Sequence, residues 1–406
     1  MTDVRLSIRR ALRIAPTRDG DRVTTLELFF DLVYAFAFTQ VTTLMAHGQA
    51  PGSLVDGFII LSLLWWSWCS FSWLANQAHA NEGAVEGAFV LATIAVFIAC
   101  IAIPDAFRAV PGALSGAAVV VACYAVVRVD HLAVYLMAAG QDATLRRQIL
   151  VTLLTALLPT LVLLCIGAGL GGTAQRWIWL TAVCYDFAAV FVTAKVTQGW
   201  RIQSAAHFAE RYGLIVLLAL GESIVAVAAG LGHAHLTWRV VTGAFLSVLI
   251  AVGLYLAYFG RLLSRLGRAL EEVRERDRAR LAEDAFTYFH FPIIAGIIVT
   301  ALGVDLSMAD LGKTHIGATA GWALGAGVAL FLAGTVAAAV RAGHAWPVPR
   351  MLTVAVLLGL APLLSVLDAL PAVGLTASVT LALALAERSL DTSTAAVDQT
   401  AERPYP

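Results

Sequence analysis

The chain reads as long apolar runs separated by short polar breaks. A bilayer core takes about 20 apolar residues per helix, and twelve runs approach or exceed that length. They predict spans near residues 25–45, 54–75, 86–103, 113–138, 149–170 and 177–198, then near 208–230, 239–262, 285–304, 318–341, 350–369 and 372–388. A short Leu-Asp-Ala-Leu-Pro link at 367–371 separates the last two. Runs this continuous cannot be barrel strands, whose side chains alternate with period two. The expected fold is all-α, a polytopic transmembrane helical bundle. Its parts are a basic N-terminal segment (1–24), a six-helix half (25–198), a second half (199–388) holding a charged loop at 261–284, and a polar, disordered tail (389–406).

Composition narrows the class. Hydrophobic residues make up 60% of the 406 and charged residues 13%, where a soluble domain carries about 25% charged. That excludes soluble domains, and so much apolar surface excludes a disordered chain. Lys+Arg and Asp+Glu number 27 each, so no basic excess points to nucleic acid; the partner expected first is the lipid bilayer. With the N-terminus inside, 22 of the 27 basic residues fall on cytoplasmic segments. Arg108, Arg176, Arg239 and Lys313 fall outside, and Arg128 lies within a span. This bias predicts cytoplasmic N- and C-termini and an even number of spans. The first apolar run exceeds signal-peptide length and shows no small-residue cleavage pattern, so no cleaved leader is expected.

Smaller features follow. Cys69, Cys100, Cys123, Cys165 and Cys184 all lie in apolar runs without a CxxC pair and read as buried hydrophobes. Trp177, Trp179, Trp238 and Trp346 sit near span ends, as interfacial anchors do, whereas Trp65, Trp66, Trp68 and Trp73 crowd one span. The 261–284 loop alternates Arg with Glu and Asp and reads as a solvated helix with i,i+4 pairs. Zinc-ligand spacing, a Walker loop, a GxSxG elbow and an Asp-rich box are all missing, so neither metal nor cofactor is expected.

Ionisable residues inside spans are costly, and they face the bundle interior or a cavity. Glu27 and Asp31 stand four residues apart on one face of the first span. Two carboxylates so close do not both ionise in an apolar site, which suits a proton or cation site. Arg128 and His131 share a face of the fourth span with Asp130 turned away, and Asp31 is the expected partner of Arg128. Asp186 lies deep in the sixth span with no obvious local partner. In the seventh, His207, Glu210 and Arg211 gather on one side of the first turn. Glu222 follows Arg211 after eleven residues, on the same stripe and about 16.5 Å further along. Gly221 there is expected to admit another backbone closely, and Ser223 adjoins the site. His290, Asp56 and Asp368 near span edges read as interfacial.

Setting Glu27 against Glu210 aligns spans one and seven without gaps, and a six-plus-six parallel repeat is the arrangement this suggests. The motifs also resemble a known family. Glu27-Leu-Phe-Phe-Asp31-Leu-Val, Ile103-Pro-Asp105-Ala-Phe107, the Arg128–His131 stretch and His207…Glu210-Arg211…Gly221-Glu222-Ser223 are similar to the bacterial low temperature requirement A (LtrA) family. The resemblance runs over about residues 20–388. It implies a polytopic inner-membrane protein named for growth at low temperature, and it implies no particular chemistry. It also implies that Glu27, Asp31, Arg128, Glu210, Arg211 and Glu222 match the family's polar motifs.

Three functions compete on these residues. One is a proton- or cation-linked secondary transporter or permeation pathway for a small solute, with Asp31 and Glu222 as the linked groups and Arg128 and Arg211 as counter-charges or anion contacts. Another is an intramembrane enzyme acting on a lipid or isoprenoid. There Asp31 and Glu222 would be the acids, in a pocket lined by Phe29, Phe30, Trp65, Trp66, Trp68 and Phe71 that steadies a cation. A stress-tolerance scaffold with purely structural ion pairs is the third.

Overall fold

A computed structural model describes residues 16–18, 20–47, 51–197, 199–232 and 234–401; the side chains of 47, 276 and 390–401 are outside the described set. Most of the basic segment 1–24 and the last five residues of the predicted tail therefore lie outside the described residues. Among the described residues, twelve helices have the length and apolarity to cross a membrane.

The first six spans are α1 (Thr25–His47), α2 (Gly52–Gln77), α3 (Gly83–Ala102), α4 (Gly116–Ala138), a fifth built from α5 (Ala143–Thr152) and α6 (Leu158–Leu170), and α7 (Gly172–Thr197). A π-helical turn at Leu153–Leu157 joins α5 to α6. It ends two residues before Pro159, whose missing N–H breaks the regular helical ladder there. Side chains close several helix starts: Thr24 accepts from the Glu27 N–H, Ser115 from Ala118 and Asp142 from Leu145. Gly171 and Gly172, at φ +68° and +57°, make the tight turn from α6 into α7, a left-handed backbone that glycine adopts without steric cost.

Next come α8 (Ala205–Leu231), α9 (Trp238–Phe259), α10 (Leu262–Glu272), α11 (Glu275–Leu281), a π-helical segment at Ala282–Tyr288, and α12 (His290–Ala309). The chain closes with α13 (Gly317–Arg341), α14 (Val348–Val366) and α15 (Ala369–Ala401). Helix thus runs well past residue 389, where polarity alone predicts a disordered tail. The charged loop is helical as expected but not wholly solvated. Leu262, Leu266 and Leu270 are buried, one apolar stripe at i,i+4 spacing.

The chain forms two compact units, residues 1–218 with 267–287, and 219–266 with 288–406. The division falls inside α8, not at the 198/199 border of the predicted halves. In the first unit α2 is the central helix, with residues such as Trp65, Trp68, Phe71 and Leu74 all buried. The second unit is close-packed through glycine. A Cβ at Gly327 on α13 would stand 2.6 Å from the Thr300 nitrogen on α12, and one at Gly303 would stand 2.6 Å from the Leu324 nitrogen. Small residues let helix backbones touch where lipid supplies no hydrophobic drive between helices.

Large apolar side chains that remain exposed, such as Phe29, Leu32, Phe97, Ile101 and Leu352, lie on the membrane-spanning helices. Phe29 therefore does not line an interior pocket. Of the cysteines, Cys69, Cys100 and Cys123 are buried, but Cys165 and Cys184 are exposed, since apolar surroundings on a spanning helix include its lipid-facing side. Among the tryptophans near span ends, Trp177, Trp238 and Trp346 are exposed as anchors should be. Trp179 is instead fully buried, donating to the Leu164 carbonyl at 2.8 Å and packing against Phe107.

Candidate functional site

The first unit buries a four-member charge cluster between α1 and α8. Glu27 and Asp31, one turn apart on α1, face His207 and Arg211, one turn apart on α8. Such i,i+4 pairs project from the same helix face. Arg211 Nη2 lies 3.0 Å from Asp31 Oδ1, and Nη1 lies 3.6 Å from Glu27 Oε2. His207 Nε2 stands 3.0 Å from the same Glu27 oxygen. All four side chains are at most 2% exposed. On α2, Trp68 donates its indole N–H to Asp31 Oδ1 at 2.8 Å, and its ring lies under the Arg211 guanidinium at 5.5 Å, a cation–π contact.

Hydrogen-bonding capacity remains unused in this cluster. Among the described residues Asp31 Oδ2, the Tyr34 hydroxyl, His207 Nδ1 and Arg211 Nε are buried without a partner. Buried polar atoms are nearly always satisfied, so these atoms mark a place that can hold water, a proton or a cation.

Glu210 does not join the cluster. It is exposed and accepts only a long bond from the Val23 N–H, at 3.4 Å. One residue before Arg211 on a helix turns a side chain about 100° away. Arg211 itself, counted from sequence among the membrane-edge cations, is fully buried.

A second buried pair lies elsewhere in the same unit. The partner of Arg128 is Asp186 on α7, at 3.3 Å, and not Asp31. Tyr124, one turn before Arg128 on α4, accepts from Arg128 Nη1 at 2.7 Å and donates to Asp186 Oδ2 at 3.0 Å. Asp31 is already matched by Arg211, and the Arg128 side chain reaches the Asp186 carboxylate of α7 instead. His131 shares the Arg128 face as expected and is buried, its ring against Phe71 and Tyr135. Neither of its ring nitrogens has a hydrogen-bond partner among the described residues.

The aromatic residues are interdigitated rather than arrayed around an opening. Phe30 packs on Phe71 and Phe89 with centroids 5.2 Å apart in each case. Trp65 stacks on Trp68, and Trp66 stacks on Phe187. Phe30, Phe71, Phe89, Trp65, Trp66 and Trp68 are all buried. Phe30, Trp65, Trp66, Trp68 and Phe71, read from sequence as a pocket lining, pack on one another and on neighbouring rings.

Sequence reasoning missed Thr287, in the π-helical segment. Its carbonyl accepts from Trp65 Nε1 at 2.9 Å, and its hydroxyl meets Trp73 Nε1 and the Tyr212 hydroxyl, each at 3.0 Å. Tyr212 directly follows Arg211, so this knot fixes the α8 turn that carries the guanidinium. A lone threonine at the end of a charged loop gives no signal in sequence. The unusual helical segment around it is visible only in the backbone, and such segments often sit at functional places.

Glu222 and Ser223 are buried in the second unit. Gly221 does not admit a neighbouring backbone: an added Cβ there meets nothing within 4 Å. The close approach on α8 is at Gly230, where a Cβ would stand 3.0 Å from the Asp305 carbonyl carbon. Of the residues read as interfacial, Asp56 pairs with Arg176 and Asp368 with Arg239. His290 is buried, 2.8 Å from the Tyr258 hydroxyl. The described residues contain no group of three His, Cys, Asp or Glu able to hold a metal ion.

Comparison with known proteins agrees with the motifs around this cluster. An uncharacterized protein of Rhizobium meliloti (strain 1021) is 28% identical over 335 residues, covering 78% of this chain and 77% of that protein. No solved structure matches. The sequence profile described as "Bacterial low temperature requirement A protein (LtrA)" matches residues 22–385, a stretch that contains every member of both buried charge clusters. The chain belongs to the LtrA family of multi-pass membrane proteins.

Proposed function

We propose that the protein is a proton- or cation-linked secondary transporter for a small solute, and that the Glu27–Asp31–His207–Arg211 cluster is its linked site. The observation that carries this reading is the charge balance of the cluster. Two carboxylates face one permanent cation and one imidazole. The cluster is neutral when His207 or one carboxylate holds a proton and carries one negative charge when that proton leaves. Gain or loss of a single proton, or of a monovalent cation beside Asp31 Oδ2, therefore switches a buried group between two electrostatic states. Such a switch is what coupling requires, because each state favours different helix contacts. Glu222, buried in the second unit, is a further acid available to this role. The 22-to-4 distribution of basic residues supports a cytoplasmic-membrane location with both termini in the cytoplasm.

The test uses proteoliposomes holding a trapped pH indicator, challenged with outward gradients of amino acids, sugars and inorganic cations. The expected result is a lumenal pH change, or a cation-dependent uptake, for at least one solute. Asp31→Asn should abolish it while leaving reconstitution and helicity unchanged, and Glu222→Gln asks whether the second unit contributes. Coupling in Asp31→Asn equal to that of the parent would overturn the assignment.

A further inference from the structure

The π-helical segment at Ala282–Tyr288 buries an acid that the charge cluster does not use. Glu283 is 7% exposed, and its Oε1 has no hydrogen-bond partner among the described residues. One like charge, Asp284, and two cations, Lys195 on α7 and Arg280 on α11, stand around it. Lys195 Nζ lies 3.9 Å from Asp284 Oδ1 and 4.0 Å from the centre of the Phe191 ring. It is therefore committed to those two groups, and Arg280 is exposed to solvent. From α2 the segment is faced by Trp65 and Trp73, and from α8 by Phe208 and Tyr212, with the Cys69 thiol 3.6 Å from the Tyr212 hydroxyl. None of these carries a charge at neutral pH. A carboxylate buried with an oxygen left over is costly when ionised, and the neutral acid is far less so.

We propose that Glu283 is a second proton-binding acid of the first unit, and that losing its proton loosens the π-helical segment that steadies Arg211. A π-helical turn is rare and persists where its surroundings hold it. Here the hold is at Thr287, whose carbonyl and hydroxyl are taken by Trp65, Trp73 and Tyr212. Glu283 stands roughly one turn earlier in the same segment. With a proton it is neutral and tolerates its burial. Ionised, it is drawn toward water or toward Lys195, which Asp284 already engages. Either shift moves the start of the segment while Thr287 pins its end. The strain then falls on the Thr287–Tyr212 contact, and Tyr212 adjoins Arg211. Proton binding stands on the surroundings of Glu283 alone; its bearing on coupling rests on the transporter reading above.

Full-length protein in detergent micelles is followed by infrared difference spectroscopy as pH is stepped from acid to alkaline, and in parallel by hydrogen–deuterium exchange of peptides covering 282–288. Neither measurement needs a transported solute, so failure here and failure of the transport assay are distinguishable. At neutral pH the protein should show a carboxylic C=O band whose Glu283 component is lost in Glu283→Gln. Asp31→Asn and Glu210→Gln, the latter at an exposed acid, should keep that component. Isotopic labelling of glutamate carboxyls alone should shift it, which assigns the band to glutamate without any variant. Protection of the 282–288 amides, corrected for the intrinsic rise of exchange with pH, should fall at least about tenfold as the band disappears. That is the amount for one pK unit of difference in proton affinity between the tight and loosened segment. Glu283→Gln keeps the side-chain shape without a charge at any pH, and its segment should stay protected throughout. No glutamate band, a band unchanged by Glu283→Gln, or equal pH dependence of exchange in parent and variant would overturn the proposal.

Discussion

Replacing Arg211 by methionine probes the buried cluster most directly. The substitution keeps the length and apolar packing of the side chain but leaves Glu27 and Asp31, one turn apart on α1, with only His207 to answer their charge. Unit charges at 3.0 and 3.6 Å attract by about 5 kcal/mol each at an effective dielectric near 20. Desolvation and the mutual repulsion of the carboxylates offset much of this. The net loss expected from removing one partner of a buried pair is about 3–5 kcal/mol. Adding Asp31→Asn to Arg211→Met removes one stranded charge and should recover part of the loss, with a coupling energy of about 1–3 kcal/mol, as contacting residues show. Unfolding of the purified protein in mixed micelles, across the four members of this cycle, measures both quantities. An Arg211→Met protein within about 1 kcal/mol of the parent, or additive effects of the two changes, would refute the claim that these groups form one electrostatic unit.

Other consequences can be checked in the same assay. Thr287→Val strands the Trp73 indole N–H and deprives the Tyr212 hydroxyl of a partner, and should cost about 1–3 kcal/mol. Gly221→Ala should be neutral or stabilising by up to about 1 kcal/mol, because its added methyl meets open space and alanine favours helix. Gly230→Ala on the same helix should destabilise by about 1–3 kcal/mol through overpacking against Asp305 and Met308. Exchanging the second pair for apolar residues, Arg128→Met with Asp186→Leu, should be near neutral for stability, whereas Asp186→Leu alone should cost about 3–5 kcal/mol. Arg239 holds the Asp368 carboxyl below its usual range through hydrogen bonds of 2.8 and 2.7 Å. A lowered folded-state value adds stability that is present above about pH 4 and fades as pH falls through the folded value. The small advantage over Asp368→Asn should therefore vanish in acid, as parallel pH melts would reveal.

The run length of apolar residues is tied directly to bilayer thickness, so all twelve spans were legible, most to within a few residues at each end. The largest miss came where helix continues beyond the apolar run in the extension of α15, because polar turns carry no membrane signal. Within one helix, spacing also sufficed. The shared faces of Glu27 with Asp31, of His207 with Arg211 and of Arg128 with His131 follow from 100° per residue. Partners across helices were not legible. Arg128 could have met Asp31 or Asp186, and only the three-dimensional arrangement of the helices decides it. The same ignorance made Gly221 look like a contact and Trp179 like an anchor.

The two units differ in where they place charge, and the difference bears on the suggested repeat. Among the described residues, the first unit buries two arginines within spans, Arg128 and Arg211, each matched to carboxylates on another helix. The second buries Glu222 and Asp305 within spans, but its arginine pairs, Arg239–Asp368 and Arg350–Glu387, lie at helix ends. Its interior is instead made of glycine contacts between α12 and α13, which leave little room for charged side chains. Backbones in contact resist relative sliding. If the two halves descend from one six-helix ancestor, they have diverged physically. Span one supplies the buried carboxylates Glu27 and Asp31, and span seven supplies the buried His207 and Arg211 that answer them. Equivalent substitutions at Glu27 and Glu210, the residues the repeat would align, should therefore differ sharply: Glu27→Gln disturbs the buried cluster, while Glu210→Gln touches an exposed side chain.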